Sequence, residues 1–465
     1  MMNTLSLLPL EFWIIVVLLT AGTLFSIGSI RAGTGFPLAT VLATIAVWYL
    51  VEIFYNDDYL TYMQSFPPAI LSLAWRQVVV FLAILLPFTF IFHRLLNARH
   101  RRSRSFSWEL IRNGVGDAHF QKNLAKLLQA AIAVYGILLI GAVFRYQENF
   151  VYFLLPYMGK HPGPWLTSGL SSGTDSLLAL ANYLHMMVGA IFGVIAALSK
   201  DPRTRRIAII CIILSWPLYL FDRTRGFILI LTIPGILAWV FIGVRTGLVR
   251  KFAILLVFFL MVNAWFGFII ASRSSGDSVT NNFLQRNFTL EESINERHQG
   301  INMFEELSWI IKLTRSGRYS PETGANYFAN LVNPIPRFLW PSKPTIGIDY
   351  ALARGLGNKS KVGVFATLSN GLIGQGVVNF GLYTGPIFAG LLMSLWVCFL
   401  AHLDLTGRKI GHTALYGLGL ITTFTLGRDI TFINLYPIFF GYLICRYLNY
   451  REATKSIKIK VASYS

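Results

Sequence analysis

The chain has 465 residues, of which 54% are hydrophobic and 13% charged, about half the charged share of a soluble domain, and its mean hydropathy is +0.57. That composition excludes an ordinary soluble enzyme and points to an integral membrane protein, whose length is best counted in apolar spans of about 20 residues. The formal charge of +19 does not point to nucleic acid, because the basic residues fall in short groups between apolar runs, where they hold loops against anionic lipid.

Apolar runs of spanning or near-spanning length lie at 11–30, 36–55, 75–96, 127–147, 176–198, 207–221, 226–244, 252–271, 380–402, 412–427 and 430–447. They predict an all-α, polytopic fold of about eleven transmembrane helices in a single membrane domain over 1–465. The first run follows neither a basic n-region nor a small-residue cleavage site and reads as a retained helix rather than a signal peptide. Alternate loops differ in Lys and Arg. The richer set comprises the loop at Arg31, the basic loop 94–126 with RLLNARHRRSRSF, SKDPRTRR, GVRTGLVRK, the Arg408/Lys409 loop and the tail from Arg446 to Lys460. This bias predicts those loops cytoplasmic, with the N-terminus outside and the C-terminus inside. The 94–126 loop reads either as an amphipathic segment on anionic lipid or as a plain topology anchor. Cys211, Cys398 and Cys445 sit within apolar runs without CxxC spacing, which suggests small core residues rather than a disulfide or zinc site. No fixed-period repeat is visible.

The outer loops carry the candidate chemistry. The loop 272–379 is too long for an ordinary connection, and loops of that length are often functional. Thr289 and Glu292 fit a capping box. In INMFEELSWIIKLTR, apolar residues at 303, 304, 307, 310, 311 and 313 mark one helical face, predicting a helix lying on the membrane surface. Prolines 334, 336, 341 and 344 then make NPIPRFLWPSKP a rigid, non-helical path, since each removes a backbone donor and extends the residue before it. Arg337, Lys343, Arg354, Lys359 and Lys361 form a basic cluster on the face where topology does not require one; they pair with acids and lipid phosphates, or bind an anionic ligand. Trp340 and Tyr327 are interfacial anchors or sugar-stacking rings.

Two shorter outer turns hold ionisable residues between apolar runs: Asp222, Arg223 and Arg225 in DRTRGF, and Arg428 and Asp429 in LGRDITF. Such groups near membrane depth cost on the order of 2.5–3.5 kcal/mol at a helix centre and usually face a partner or a wet cavity. Several arginines there suit a phosphate, whose oxygens the guanidinium fork matches in bidentate fashion. The plainer alternative pairs Arg223 with Asp222 and Arg428 with Asp429, although neighbours in a helix do not face one another.

The run GANYFANLVNPIPRFLWPSKP resembles the hallmark of bacterial oligosaccharide repeat unit polymerases, the Wzy-type O-antigen and exopolysaccharide polymerase family. The Arg-Gly at 225–226, the Asn-Phe-Gly at 379–381 and the late Arg428 are similar to that family as well. The resemblance covers roughly 220–445. It implies polymerisation of undecaprenyl-pyrophosphate-linked oligosaccharides at the periplasmic face of a bacterial inner membrane, without metal, nucleotide or other cofactor. It also implies partners in membrane lipid and a chain-length regulator and flippase of the same pathway. Catalytic cations are then expected at Arg225, Arg337 and Arg428, with a base among Asp222, Asp349, Asp429 and His298. Arg223, Lys343, Trp340, Tyr327, Arg354, Gln375 and Asn379 are expected to bind substrate. Many relatives are expected to carry an acid four positions before Asn-Phe-Gly; here Gln375 stands there, so no base is assigned at that point. The rival readings are an O-antigen ligase-like transferase and a transporter or flippase of lipid-linked sugars, the latter weakened because the polar residues gather on one side rather than at a midplane.

Overall fold

The computed structural model describes residues 8–29, 33–55, 63–98, 118–146, 175–220, 225–241, 247–274, 302–335, 339–344, 348–354, 369–403, 410–430, 432 and 434–447. Among them every regular element is helical, with no strand. In chain order these are α1 (Leu10–Gly28), α2 (Gly35–Ile45, continued by a π turn at Ala46–Leu50), α3 (Pro68–Ala98), α4 (Ala118–Arg145), α5 (Asp175–Leu198), α6 (Pro202–Leu220), α7 (Arg225–Phe241) and α8 (Leu248–Ser274). Then follow α9 (Met303–Arg315), α10 (Ala325–Val332), α11 (Ile348–Ala353), α12 (Leu372–His402), α13 (Ile410–Leu426) and α14 at 434–447.

Among the described residues, five helices are long and apolar enough to cross a membrane, within α1, α3, α4, α5 and α12, and three shorter apolar helices lie at Gly35–Leu50, Phe227–Val240 and Ala414–Leu426. The outward faces support the same setting. Val17, Leu24 and Ile27 on α1, Ile137, Ile140 and Phe144 on α4, and Phe259, Leu260 and Met261 on α8 are all exposed, a density of outward apolar side chains that hydrocarbon covers and water does not. The basic loop expected at 94–126 is shorter than its sequence suggests: α3 runs to Ala98 and α4 begins at Ala118.

Contacts set the helix directions. Glu11 accepts hydrogen bonds from Ser72 at 2.9 Å and Arg76 at 3.0 Å, and Phe25 meets Phe90 edge-on at 6.5 Å, so α1 and α3 run parallel. Ser394 and Cys398 donate to the carbonyls of Leu85 and Thr89, which aligns the later part of α12 with α3. A Cβ on Gly189 would meet Leu231, and one on Gly193 would meet the backbone of Gly235; equal steps in the same direction make α5 and α7 parallel too. The end of α2 meets the end of α13, where Trp48 Nε1 donates to the Phe424 carbonyl at 2.9 Å.

The apolar run expected at 380–402 begins earlier, as a folded-back limb. Gly381 has φ +82° and ψ −179°, a left-handed setting that an L side chain rarely adopts, and it splits α12 into a short limb (372–380) and a long limb (382–402). The limbs return on each other closely: a Cβ on Gly385 would lie 2.6 Å from Val377 Cα. Nine residues of helix rise about 13 Å, so the short limb cannot cross a bilayer core of about 30 Å.

Helix α9 contradicts its sequence reading in one respect. It forms as the spacing predicts, with Asn302 Oδ1 accepting from the Glu305 N–H at 2.9 Å as N-cap. Yet Met303, Phe304, Leu307, Ile310, Ile311 and Leu313 are all buried in the main core, and Phe304 stacks on Trp75 of α3 at 3.7 Å. It does not lie with that face on the membrane, because the face is already covered by protein. The Thr289–Glu292 capping box lies outside the described residues.

Candidate functional site

The short limb of α12 is tied at both ends, and those ties build the site. At its start the N–H groups of Gly371 and Leu372 donate to the carbonyls of Arg428 (2.9 Å) and Gly427 (3.0 Å), and that of Ile373 donates to the Tyr49 hydroxyl (3.0 Å). At its end the carbonyls of Val378 and Asn379 accept from Glu322 and Gly324, both at 3.1 Å. Backbone groups that a helix terminus normally leaves unmet thus join the segments before and after it.

Two polar side chains on this limb complete the scaffold. Gln375 is buried; its Nε2 donates to the Ile430 carbonyl at 3.1 Å while its Oε1 accepts from the Ile430 N–H at 2.7 Å. Asn379, fully buried, accepts from the Tyr327 N–H at 3.0 Å and donates to the Gln375 carbonyl at 2.8 Å. The residue standing where an acid was expected therefore fixes the turn carrying Arg428 and Asp429, and Asn379 anchors α10 beside it.

On this scaffold Arg428 is exposed, its Nε donating to Ser369 Oγ at 2.8 Å. Asp429 is half-buried. Burial pushes its carboxyl up to about 7, against the pull of Arg428 and of the Ile430 N–H. Tyr327, on α10, is buried, and its hydroxyl has no hydrogen-bond partner among the described residues. Burial raises its pKa above the ordinary phenol range, and the nearby Asp429 and Tyr49 add to the shift. Tyr183 of α5 approaches from the far side, within reach of Asn434 and within electrostatic range of Arg428 and Asp429. Asn326 Oδ1, Asn370 Oδ1 and Asn434 Oδ1 are also buried without a partner among the described residues. Unmet buried polar atoms are uncommon. The register of α5 and α7 sets Arg225, the first residue of α7, level with Tyr183.

The remaining predicted residues fall elsewhere. Lys343 is buried, and its ammonium donates to the carbonyls of Asn333 at 2.7 Å and Ile335 at 2.9 Å, bracing the proline-rich path from within. Arg354 meets Glu306 at 3.2 Å and lies 4.2 Å over the Trp309 ring, while the Tyr350 hydroxyl donates to the same Glu306 carboxylate. Both cations are thus engaged within the protein. Trp340 donates to Ser342 Oγ at 3.1 Å and meets Phe328 edge-on at 6.3 Å. Asp349 is exposed on α11, close enough to Glu322 to join burial in raising that carboxyl. Asp222, Arg223, His298, Arg337, Lys359 and Lys361 lie outside the described residues, as does the Arg225 side chain.

The sequence reading missed Tyr49, Tyr183, Asn370 and Asn434. Tyrosines in apolar runs read as packing. Asn434 offered the one usable signal, an amide near the start of the apolar run 430–447. Among the described residues no group of three or more His, Cys, Asp or Glu side chains could hold a metal ion. The chain matches no family model, no curated protein and no solved structure.

Proposed function

We propose that this chain is an inner-membrane glycosyltransferase of about eleven spans that polymerises undecaprenyl-pyrophosphate-linked oligosaccharide repeat units at the periplasmic face. The product is a surface or extracellular polysaccharide. The observation that carries this reading is the clustering of Arg428, Asp429, Tyr327 and Asn379 on one scaffold. It gathers at one end of the bundle the motif residues that the sequence resemblance singles out, from segments about a hundred residues apart.

In the reaction, a sugar hydroxyl of the incoming unit attacks the anomeric carbon of the growing chain, and the bond from that carbon to the pyrophosphate oxygen breaks. The electron pair leaves with the lipid pyrophosphate, and Asp429 in its carboxylate form takes the hydroxyl proton. Arg428, with Arg225 and Arg337, offsets the charge that grows on the leaving group. Loss of one preorganised donor of this kind costs about 2.7–4 kcal/mol in comparable sites. Tyr327 and the unmet asparagine oxygens hydrogen-bond sugar hydroxyls.

The test is reconstitution. Purified protein in vesicles is given lipid-linked repeat units, and the products are separated on a gel. A ladder of lengths supports the proposal; unchanged substrate that exchanges between leaflets supports transport, and transfer of a single chain to a foreign acceptor supports a ligase. In the same assay Arg337→Lys keeps the charge but loses the fork, and full activity of that variant argues against bidentate phosphate binding by Arg337.

A further inference from the structure

Helix α10 is apolar on both sides: Tyr327, Ala329 and Val332 are buried with its two asparagines, and apolar side chains also face outward. Asn326 and Asn330 on its inner face are 2% and 3% exposed, whereas Phe328 and Leu331 on its outer face are 50% and 49% exposed. Past the end of the helix, Ile335 and Leu339 are exposed as well, while 328 and 331, three apart, share one helical face. The run ANYFANLVNPI contains no charged residue, and Lys343 behind it turns its ammonium inward onto the carbonyls of Asn333 and Ile335. An outer face in water presents amides and charges rather than Phe and Leu.

Both flanks of this strip continue into outward apolar surface. On one side the Tyr436 hydroxyl donates to the Leu331 carbonyl, and α14 carries Phe440, Leu443, Ile444 and Tyr447 outward in a helical stripe that starts from that tyrosine. On the other, the Tyr327 ring packs against Phe388 at 5.6 Å, and the long limb of α12 turns Tyr383, Ile387 and Leu395 outward. That limb belongs to a helix long and apolar enough to cross a membrane. Tyr436, Tyr383 and Trp340 around the strip are the amphipathic rings enriched where hydrocarbon meets head groups.

We infer that Phe328 and Leu331 on the outer face of α10, with Ile335 and Leu339 beyond it, form a lipid-contact surface seated against the hydrocarbon of bilayer phospholipid. α10 is then a wall one helix thick, with acyl chains on one side and the unmet polar atoms of Asn326 and Tyr327 on the other. A membrane lipid has a single helix to pass to bring its head group beside Tyr327 and Asp429, whatever reaction follows there. The contacts that join α10 to the outward apolar stripes of α12 and α14 make hydrocarbon the occupant.

Photocrosslinking tests this on the full chain without an activity assay. p-Benzoylphenylalanine replaces Leu331, Phe328 or, as a flank reference, Phe440, in protein reconstituted into phosphatidylethanolamine and phosphatidylglycerol vesicles, and intact mass is read after irradiation. The expected result is a mass increase of one host phospholipid at all three positions, shifting when phospholipids of different acyl length are used. Adducts at Phe440 without lipid adducts at Leu331 and Phe328 overturn the inference. So do a covalent dimer, a crosslink to another segment of the same chain, or no lipid adduct at any position.

Discussion

Asp429 has two neighbours that favour its charge, Arg428 and the Ile430 N–H, while burial, the stronger effect, holds its carboxyl near 7; Tyr327 and Tyr183 are other titratable groups within electrostatic range. A group whose folded pKa lies above its unfolded value favours the fold below the ordinary carboxylate range, and that contribution is lost as pH rises through about 7. Activity has the opposite sign, since only the carboxylate can take a proton. Raising pH from 6 to 8 should therefore increase transfer rate while lowering thermal stability, and Asp429→Asn should flatten both trends; rate profiles and thermal scans in detergent check this. Arg428→Lys retains charge without the fork and should lose about 10²–10³ in rate, read as initial rates at saturating substrate. Cations are harder to interpret from sequence than this acid. Lys343 and Arg354 read as ligand-facing, yet their partners lie 10 and 48 residues away, a separation over which no local pattern tells a committed cation from a free one.

At the scale of elements, the hairpin within α12 carries the site. Its close approach is met by glycine on both limbs, so Gly385→Ala drives a methyl into the backbone of Gly376 and Val377. Overpacking of this sort costs about 1–3 kcal/mol, more where backbone must move. Gly136→Ala, with nothing within 4 Å, is the matched control: thermal unfolding should fall clearly for the first and hardly at all for the second. A second tie joins α9 to α11 through Glu306, Arg354 and Tyr350. Arg354→Ala strands the Glu306 carboxylate and should destabilise by about 3 kcal/mol, the lower end for a broken buried pair, while Arg354→Ala combined with Glu306→Gln should recover part of the loss in the same scans. The apolar spacing of α9 was plain in the sequence, residue for residue. What the face packs against was not, because a helical stripe is equally apolar whether it meets lipid or α3. The hairpin was hidden for a related reason: the residues from 372 to 402 form one apolar stretch, and only the backbone angle at Gly381 divides them.

Across the whole molecule, apolar run length located nearly every long helix, with errors at the ends, because amphipathic first turns such as Ala118–Lys126 dilute the hydropathy that marks a span. The positions of Arg428 and Asp429 between two apolar runs singled out the turn on which the candidate site is built, since ionisable groups are rarely left there without a role. The partners that complete the site were not legible, as they come from α2, α5, α10 and the short limb of α12, which only tertiary packing brings together. If this assembled end of the bundle joins lipid-linked saccharides, the product ladder from wild type, Arg428→Ala and Gly136→Ala in vesicles with one preparation of lipid-linked repeat units should show it. Full ladders are expected for wild type and Gly136→Ala, and loss of polymer for Arg428→Ala with substrate left at one unit. An undiminished ladder from Arg428→Ala, or no ladder from any of the three, would contradict that role.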